Sequence, residues 1–343
     1  MAPVRSSAPI GVPVPDPGHV LWYRAPAVRF VESLPVGNGL AGATVRGLVG
    51  GERIQLNEGS AWSGPTNRSA PALDPSAGPA TLQAVREAVD GGDVRRAEAL
   101  LLAFQGTHSQ AYLPFAALAV DVAGKAAAVD DGPARWLDLR TGTAGHRYVV
   151  DAAEVRHRTF ASHPDAVIIH EITADAPIDV RIGIDADSIK ALGTDAAAQP
   201  WGTELRLRVL LPSDVAPDFE RTAEHIHYDD DSRAGAVHAG VATDGDVDIT
   251  PGTVTVTGAR SIRLAIATGT VLENPHAIRH ANTARSPEDL AVLLSGRVAR
   301  VLQDSADAVL ERHVADHAGL YGRVALELGP EAGPYPRSVD ANG

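Results

Sequence analysis

From about residue 40 to residue 272, apolar and polar positions alternate with a period of two. Ile178, Val180, Ile182 and Ile184 alternate with Asp179, Arg181, Gly183 and Asp185. Leu205, Leu207 and Val209 alternate with Arg206, Arg208 and Leu210, and Val254 and Val256 with Thr253, Thr255 and Thr257. Successive side chains of a strand point to opposite faces, so such runs bury one face and wet the other. Gly, Asp and Pro punctuate the runs, as in an antiparallel sandwich or barrel. Asp244-Gly245, between two strand-like runs, suits a tight hairpin turn.

Two segments switch to helical period. Residues 81–104 predict a helical hairpin: Leu82, Val85 and Val89 form one stripe, and Gly91-Gly92 interrupt it. Asp93 then caps a second helix whose apolar face is Val94, Ala97, Leu100, Leu101 and Phe104. The other segment opens at Ser286-Pro287-Glu288-Asp289, with an N-cap serine, proline in the first turn and an acid three residues after the cap. Leu290, Leu294, Val298, Val301 and Leu302 keep the period. One helix to about residue 320 would be roughly 50 Å long at about 1.5 Å per residue. That exceeds one face of a sandwich, so it is expected to be a linker that leaves Leu290, Leu294 and Val301 uncovered.

The predicted fold class is therefore mainly β. A large antiparallel β-super-sandwich spans residues 19–275, with the helical hairpin inserted at about 81–104 and a long linker helix over 286–322. Residues 1–18, interrupted by prolines, read as a disordered leader, and residues 323–343 as a short strand and a disordered tail.

Composition narrows the chemistry. The chain has 343 residues, 44% of them apolar but only 4% aromatic, so its core is mostly Val, Ala, Leu and Ile. Its formal charge of −13 repels phosphate backbones, so nucleic acid is not an expected partner. Cysteine is absent, which excludes disulfides and thiolate metal sites. The N-terminus has no apolar run of signal-peptide length, and no stretch nears the roughly 20 apolar residues of a membrane helix. The expected location is cytoplasmic, or secreted if the true start lies upstream.

Several motifs lose to plainer readings. Gly37-Asn38-Gly39-Leu40-Ala41-Gly42 matches G-x-G-x-x-G, but a strand-like run follows instead of the helix that a pyrophosphate needs. His313 and His317 stand one helical turn apart, a spacing that can hold zinc, yet no third ligand sits at a known distance. His170-Glu171 has Ala174 where H-E-x-x-H needs its second histidine. Asp229, Asp230 and Asp231, and Asp244, Asp246 and Asp248, read as acidic hairpin tips, since Ile249 occupies the glycine position of a calcium loop. No metal and no cofactor is expected.

The most informative stretch is Leu21 to Gly64, which combines two tryptophans, three side-chain amides and a glycine-rich turn. Asn38, Gln55, Asn57, Glu58 and Trp62 are the candidate site. They would bind a sugar, dock another domain, or satisfy backbone groups where a strand turns a corner. The order Leu21-Trp22-Tyr23, Leu34 to Gly39, Leu56-Asn57-Glu58 and Trp62-Ser63-Gly64 resembles the opening of glycoside hydrolase family 95, the inverting α-L-fucosidases and their relatives. Arg156 to Asp175 and His313 to Gly329 are similar to later blocks of that family, so the resemblance covers about residues 19–329. Leu113-Pro114-Phe115-Ala116-Ala117 departs from the family's Gln-Pro-Leu-Gly-Asp run and loses its polar character.

The resemblance implies an N-terminal β-sandwich domain of an α-L-fucosidase-like hydrolase. In that family the catalytic carboxylates lie in an (α/α)6 barrel beyond the linker, past the end of this chain. No catalytic residue is therefore expected here. The expected partners are that barrel, in cis, and fucosylated glycans. Two rivals stay open: a stand-alone carbohydrate-binding module with Trp22 and Trp62 facing solvent, and a complete hydrolase with two acids across a cleft.

Overall fold

The computed structural model describes residues 10–13, 18–64, 76–104, 108–129, 134–185, 198–200, 205–220, 222, 224–272 and 285–326. The strands are β1 Val20–Tyr23, β2 Leu34–Gly37, β3 Ala41–Val45, β4 Gly51–Glu58, β5 Ala116–Val122, β6 Ala126–Ala127, β7 Arg135–Asp138, β8 Thr143–Val150, β9 Ala153–Ser162, β10 Val167–Asp185, β11 Ala198–Pro200, β12 Leu205–Leu211, β13 Asp214–Val215, β14 Ile226–His227, β15 Arg233–Thr243, β16 Asp246–Thr250 and β17 Thr253–Thr270. The helices are α1 Gly78–Asp90, α2 Val94–Leu101, α3 Pro287–Gln303 and α4 Ala306–Tyr321.

Fifteen strands form one antiparallel sheet that curls over itself. The long strands β10 and β17 make the curl. They pair with each other along most of their length, but their outer partners change along the way. The first half of β10, to Ala174, pairs with β9; its second half, from Val180, pairs with β5. The register between β10 and β17 shifts between Thr173 and Val180. Pro177 sits in that stretch, without an N–H to give the ladder, at a bulge that lets the strand bend. One limb then runs β1-β7-β8-β9-β10-β17-β15-β12-β11, and the other carries β2-β3-β4-β5 back over β8 and β9.

The alternation read from the sequence fills the space between the limbs. Leu56, Leu118, Ile182 and Val256 meet Tyr148, Val155, Ile172 and Ile266 in one core. The predicted helical hairpin is α1 and α2, and Asp93 caps α2 by accepting from Arg96 N at 3.1 Å. Asp244-Gly245 turns β15 into β16. Ile10, inside the expected leader, is buried, and its carbonyl accepts from Arg156. The expected tail lies outside the described residues from position 327 onward.

The C-terminal helix differs from expectation in two ways. It is two helices, because Asp304 and Ser305 are extended and Ser305 caps α4 by accepting from Ala308 N. Its apolar stripe is also covered. Leu290, Leu294, Val298 and Val301 pack on the outer face of the sheet against Phe160, Ile169, Ala265 and Ala267. Small residues make the approach close: a Cβ on Gly240 would stand 2.6 Å from Val298 Cγ1, and one on Gly269 3.1 Å from Leu290 Cδ1. Burying each leucine contributes about 1.5–3 kcal/mol, so the sheet itself holds α3.

Candidate functional site

The end of β4 and the turn between β2 and β3 form one rim, because Gly42 pairs with Asn57 and Ala41 with Glu58. Asn38 builds that turn. Its Oδ1 accepts from Leu40 N at 3.1 Å and Ala41 N at 2.8 Å, while Nδ2 donates to Ser162 O at 3.1 Å. Gly39 follows at φ 86°, a conformation that strains residues with a side chain. Asn38 is thus committed to the backbone.

Glu58 is 1% exposed. Ser60 Oγ donates to its Oε1 at 2.8 Å and Thr268 Oγ1 to its Oε2 at 2.5 Å. Thr270 Oγ1, 2.8 Å from Ser60 Oγ, supplies the proton of that contact, since the single proton of Ser60 is already used. Burial raises the Glu58 carboxyl above its ordinary range, against these donors and the nearby Arg297 guanidinium. Burial also lowers Arg297, and Glu58 opposes that shift.

Glu58 lines a cleft of about 70 Å³ between the strand ends and α3, together with Ser60, Thr268, Arg285, Arg297 and a leucine floor that includes Leu294. Its lining holds one carboxyl and two guanidinia. Inverting hydrolysis needs two carboxyls set about 6.5–9.5 Å apart, so this cleft lacks the pair.

Trp62 stands beside the rim and is 45% exposed. It is held firmly: Nε1 donates to Gly59 O at 3.2 Å, Arg233 Nη2 donates to its carbonyl, and its backbone bridges Tyr112. Tyr112 is 43% exposed, and the two rings lie 5.3 Å apart at 55°. Burial and the Glu58 charge both push the Tyr112 phenol up.

Strand alternation separates the remaining candidates. Gln55 and Asn57 project from the face of β4 opposite Ile54, Leu56 and Glu58, and both are half-buried. The structure therefore gathers Asn38, Glu58 and Trp62 on one rim and leaves Gln55 and Asn57 outside the cleft. Ser60, Tyr112, Thr268, Thr270, Arg285 and Arg297 were not legible as site residues. Thr268 and Thr270, hydroxyls at inward positions of an apolar strand, were the available signal.

The other motifs resolve into structural contacts. His313 Nε2 donates to Thr141 O and His317 Nε2 to Leu139 O, each at 2.8 Å, which ties α4 to the turn before β8. His170 is wholly buried in the core. Asp244 Oδ1 accepts from Arg260 N and Ser261 N, so it shapes its hairpin. Leu113 and Phe115, in the run that departs from the family pattern, are buried. Trp22 lies on β1, which β7, β8, β9, β10 and β5 separate from β4 along the sheet.

Residues 21–274 match the family described as glycosyl hydrolase family 65, N-terminal domain. Alpha-L-fucosidase 2 of Arabidopsis thaliana is 27% identical over 320 residues, which is 90% of this chain and 36% of that protein. A solved structure named "Putative kojibiose phosphorylase from human microbiome" covers 84% of this chain and 35% of its own at 8% identity, with a TM-score of 0.40. The chain thus spans about a third of the curated relative's length. No helix among the described residues is long and apolar enough to cross a membrane. The family match covers most of the chain, which therefore belongs to the glycosyl hydrolase family 65 N-terminal domain family, as the N-terminal β-sandwich of a glycoside hydrolase of this kind.

Proposed function

We propose that the chain is the N-terminal domain of an α-L-fucosidase-like hydrolase of family 95 type, and that it docks and supports a helical catalytic barrel. Fucosylated glycans are then the substrate of the whole protein, handled by the barrel. The observation that carries the docking role is the Trp62–Tyr112 pair, two large exposed rings fixed by backbone contacts at one rim of the sandwich. Rigid aromatic anchors of this sort dominate interface energies. The likeness to alpha-L-fucosidase 2 supports the substrate class.

A stand-alone carbohydrate-binding module fits less well. Trp22 lies on β1 and Trp62 just after β4, two strands far apart in the sheet order, and the Trp62 and Tyr112 rings are tilted by 55° rather than coplanar. The described residues hold four α-helices, too few for six helical hairpins. Incubating the purified chain with an aryl α-L-fucoside tests the non-catalytic role. No release above the blank is expected. Turnover that scales with protein and disappears in Glu58→Gln would move the active site into the sandwich.

A further inference from the structure

Resting on that docking reading, we propose that the cleft between the end of β4, β17 and α3 is a socket for one neutral polar side chain of the docking partner, the primary amide of an asparagine or glutamine. The cleft brings together groups of opposite hydrogen-bonding character. Glu58, its one carboxylate, only accepts; Arg285 and Arg297, its two guanidinia, only donate. A carboxylate entering the cleft would pair with a guanidinium but would also meet Glu58 with like charge. An ammonium group would meet two cations. A primary amide satisfies both walls, because its NH2 donates to Glu58 while its oxygen accepts from a guanidinium.

The frame around these groups is already fixed. Ser60 donates to Glu58 and accepts from Thr270, so it has no proton left for a ligand. Arg285 is anchored by donation from Nη1 to Leu272 O at 3.1 Å and keeps its other donors. Arg297 is half-buried on α3 and makes no hydrogen bond or ion pair among the described residues, although it senses the Glu58 charge. An incoming carbonyl oxygen would give this guanidinium an acceptor in place of water. The cleft, about 70 Å³, has room for the end of one side chain. The leucine floor suits the methylene stem behind the amide. Trp62 and Tyr112 beside the rim would hold the partner while the amide fixes its register.

The test is amide-resolved NMR of the full chain titrated with propionamide, propionate, propylammonium and L-fucose. Propionamide should shift Ser60 and Gly269 saturably, with propionate and propylammonium weaker by at least about tenfold, the effect of one buried mispaired charge. Arg297→Leu, on a partly exposed helix position, should abolish the propionamide response, and Glu58→Gln should let propionate bind. Equal binding of propionate and propionamide to the wild type, or no response at all, overturns the socket. Saturation by L-fucose without propionamide binding also overturns it and makes the cleft a sugar site. Failure of the wild-type chain to capture a helical barrel is a separate result. It overturns the docking reading whatever the probes show.

Discussion

His157 Nδ1 lies 3.0 Å from His170 Nε2, and both rings are wholly buried between the limbs of the sheet. The contact belongs to a chain. Tyr148 Oη is 2.9 Å from His157 Nε2, and Thr159 Oγ1 is 2.8 Å from His170 Nδ1. His146 stacks on His157 with centroids 4.1 Å apart. Each neutral ring has one donor and one acceptor, which is what this chain consumes. A proton on both imidazoles would set two N–H groups against each other.

Acid should therefore unfold this domain early. Burial lowers His170 and His146 to about 3 and His157 well below its ordinary value. A depressed folded value gives stability that is complete above the unfolded value of about 6.5 and is lost as the pH falls through the window down to about 3. At pH 5 His146 and His170 each cost about 2 kcal/mol, and His157 acts in the same direction. Glu52, pushed up to about 7 by burial, acts the other way, losing stability as the pH rises from about 4.5 to 7, and Glu58 and Glu171, also raised by burial, act in the same direction more weakly. Three histidines outweigh them, so the urea midpoint should drop between pH 7 and pH 5. His157→Gln, which keeps a donor and an acceptor, should flatten that drop. An unchanged slope would refute the assignment.

The packing of α3 on the sheet predicts a large cavity cost. Leu294 is fully buried against a floor of small residues, so Leu294→Ala should cost about 2–5 kcal/mol in chemical denaturation. Gly240→Ala should also destabilise, because the new Cβ has no room beneath Val298 and Leu302. A change within experimental error in either variant would mean that α3 is not seated there.

The caps give a local prediction. Asp93→Ala removes the side-chain acceptor at the start of α2 and should cost about 1 kcal/mol. Amide exchange should quicken over residues 94–101 and leave β8, β9 and β10 unchanged. Global acceleration would place the hairpin in the main cooperative unit.

Much of the sandwich was legible because alternation is local. Ile178 to Ile184 and Leu205 to Val209 declare their buried face without reference to partners, and Asp93 and Ser286 announce the helices they cap. The seating of α3 was not legible. It depends on Ala265, Ala267, Gly240 and Gly269 leaving room on a distant strand face, and small residues in a strand look unremarkable in sequence. The break at Asp304-Ser305 was hidden by apolar positions that continue with nearly the same period. Of the site, Asn38, Glu58 and Trp62 were readable from one dense segment. Arg297 and Thr268 were not, since they reach Glu58 only after more than 200 residues of sheet have closed.

The docking role is tested most directly by immobilising the chain and measuring retention of the part of alpha-L-fucosidase 2 that lies outside the matched third. The wild-type chain should retain it. The double variant Trp62→Ala, Tyr112→Ala should bind at least about 100-fold more weakly, as expected when two aromatic anchors are removed. No retention by the wild type, or equal retention by the variant, would contradict a docking surface at Trp62 and Tyr112.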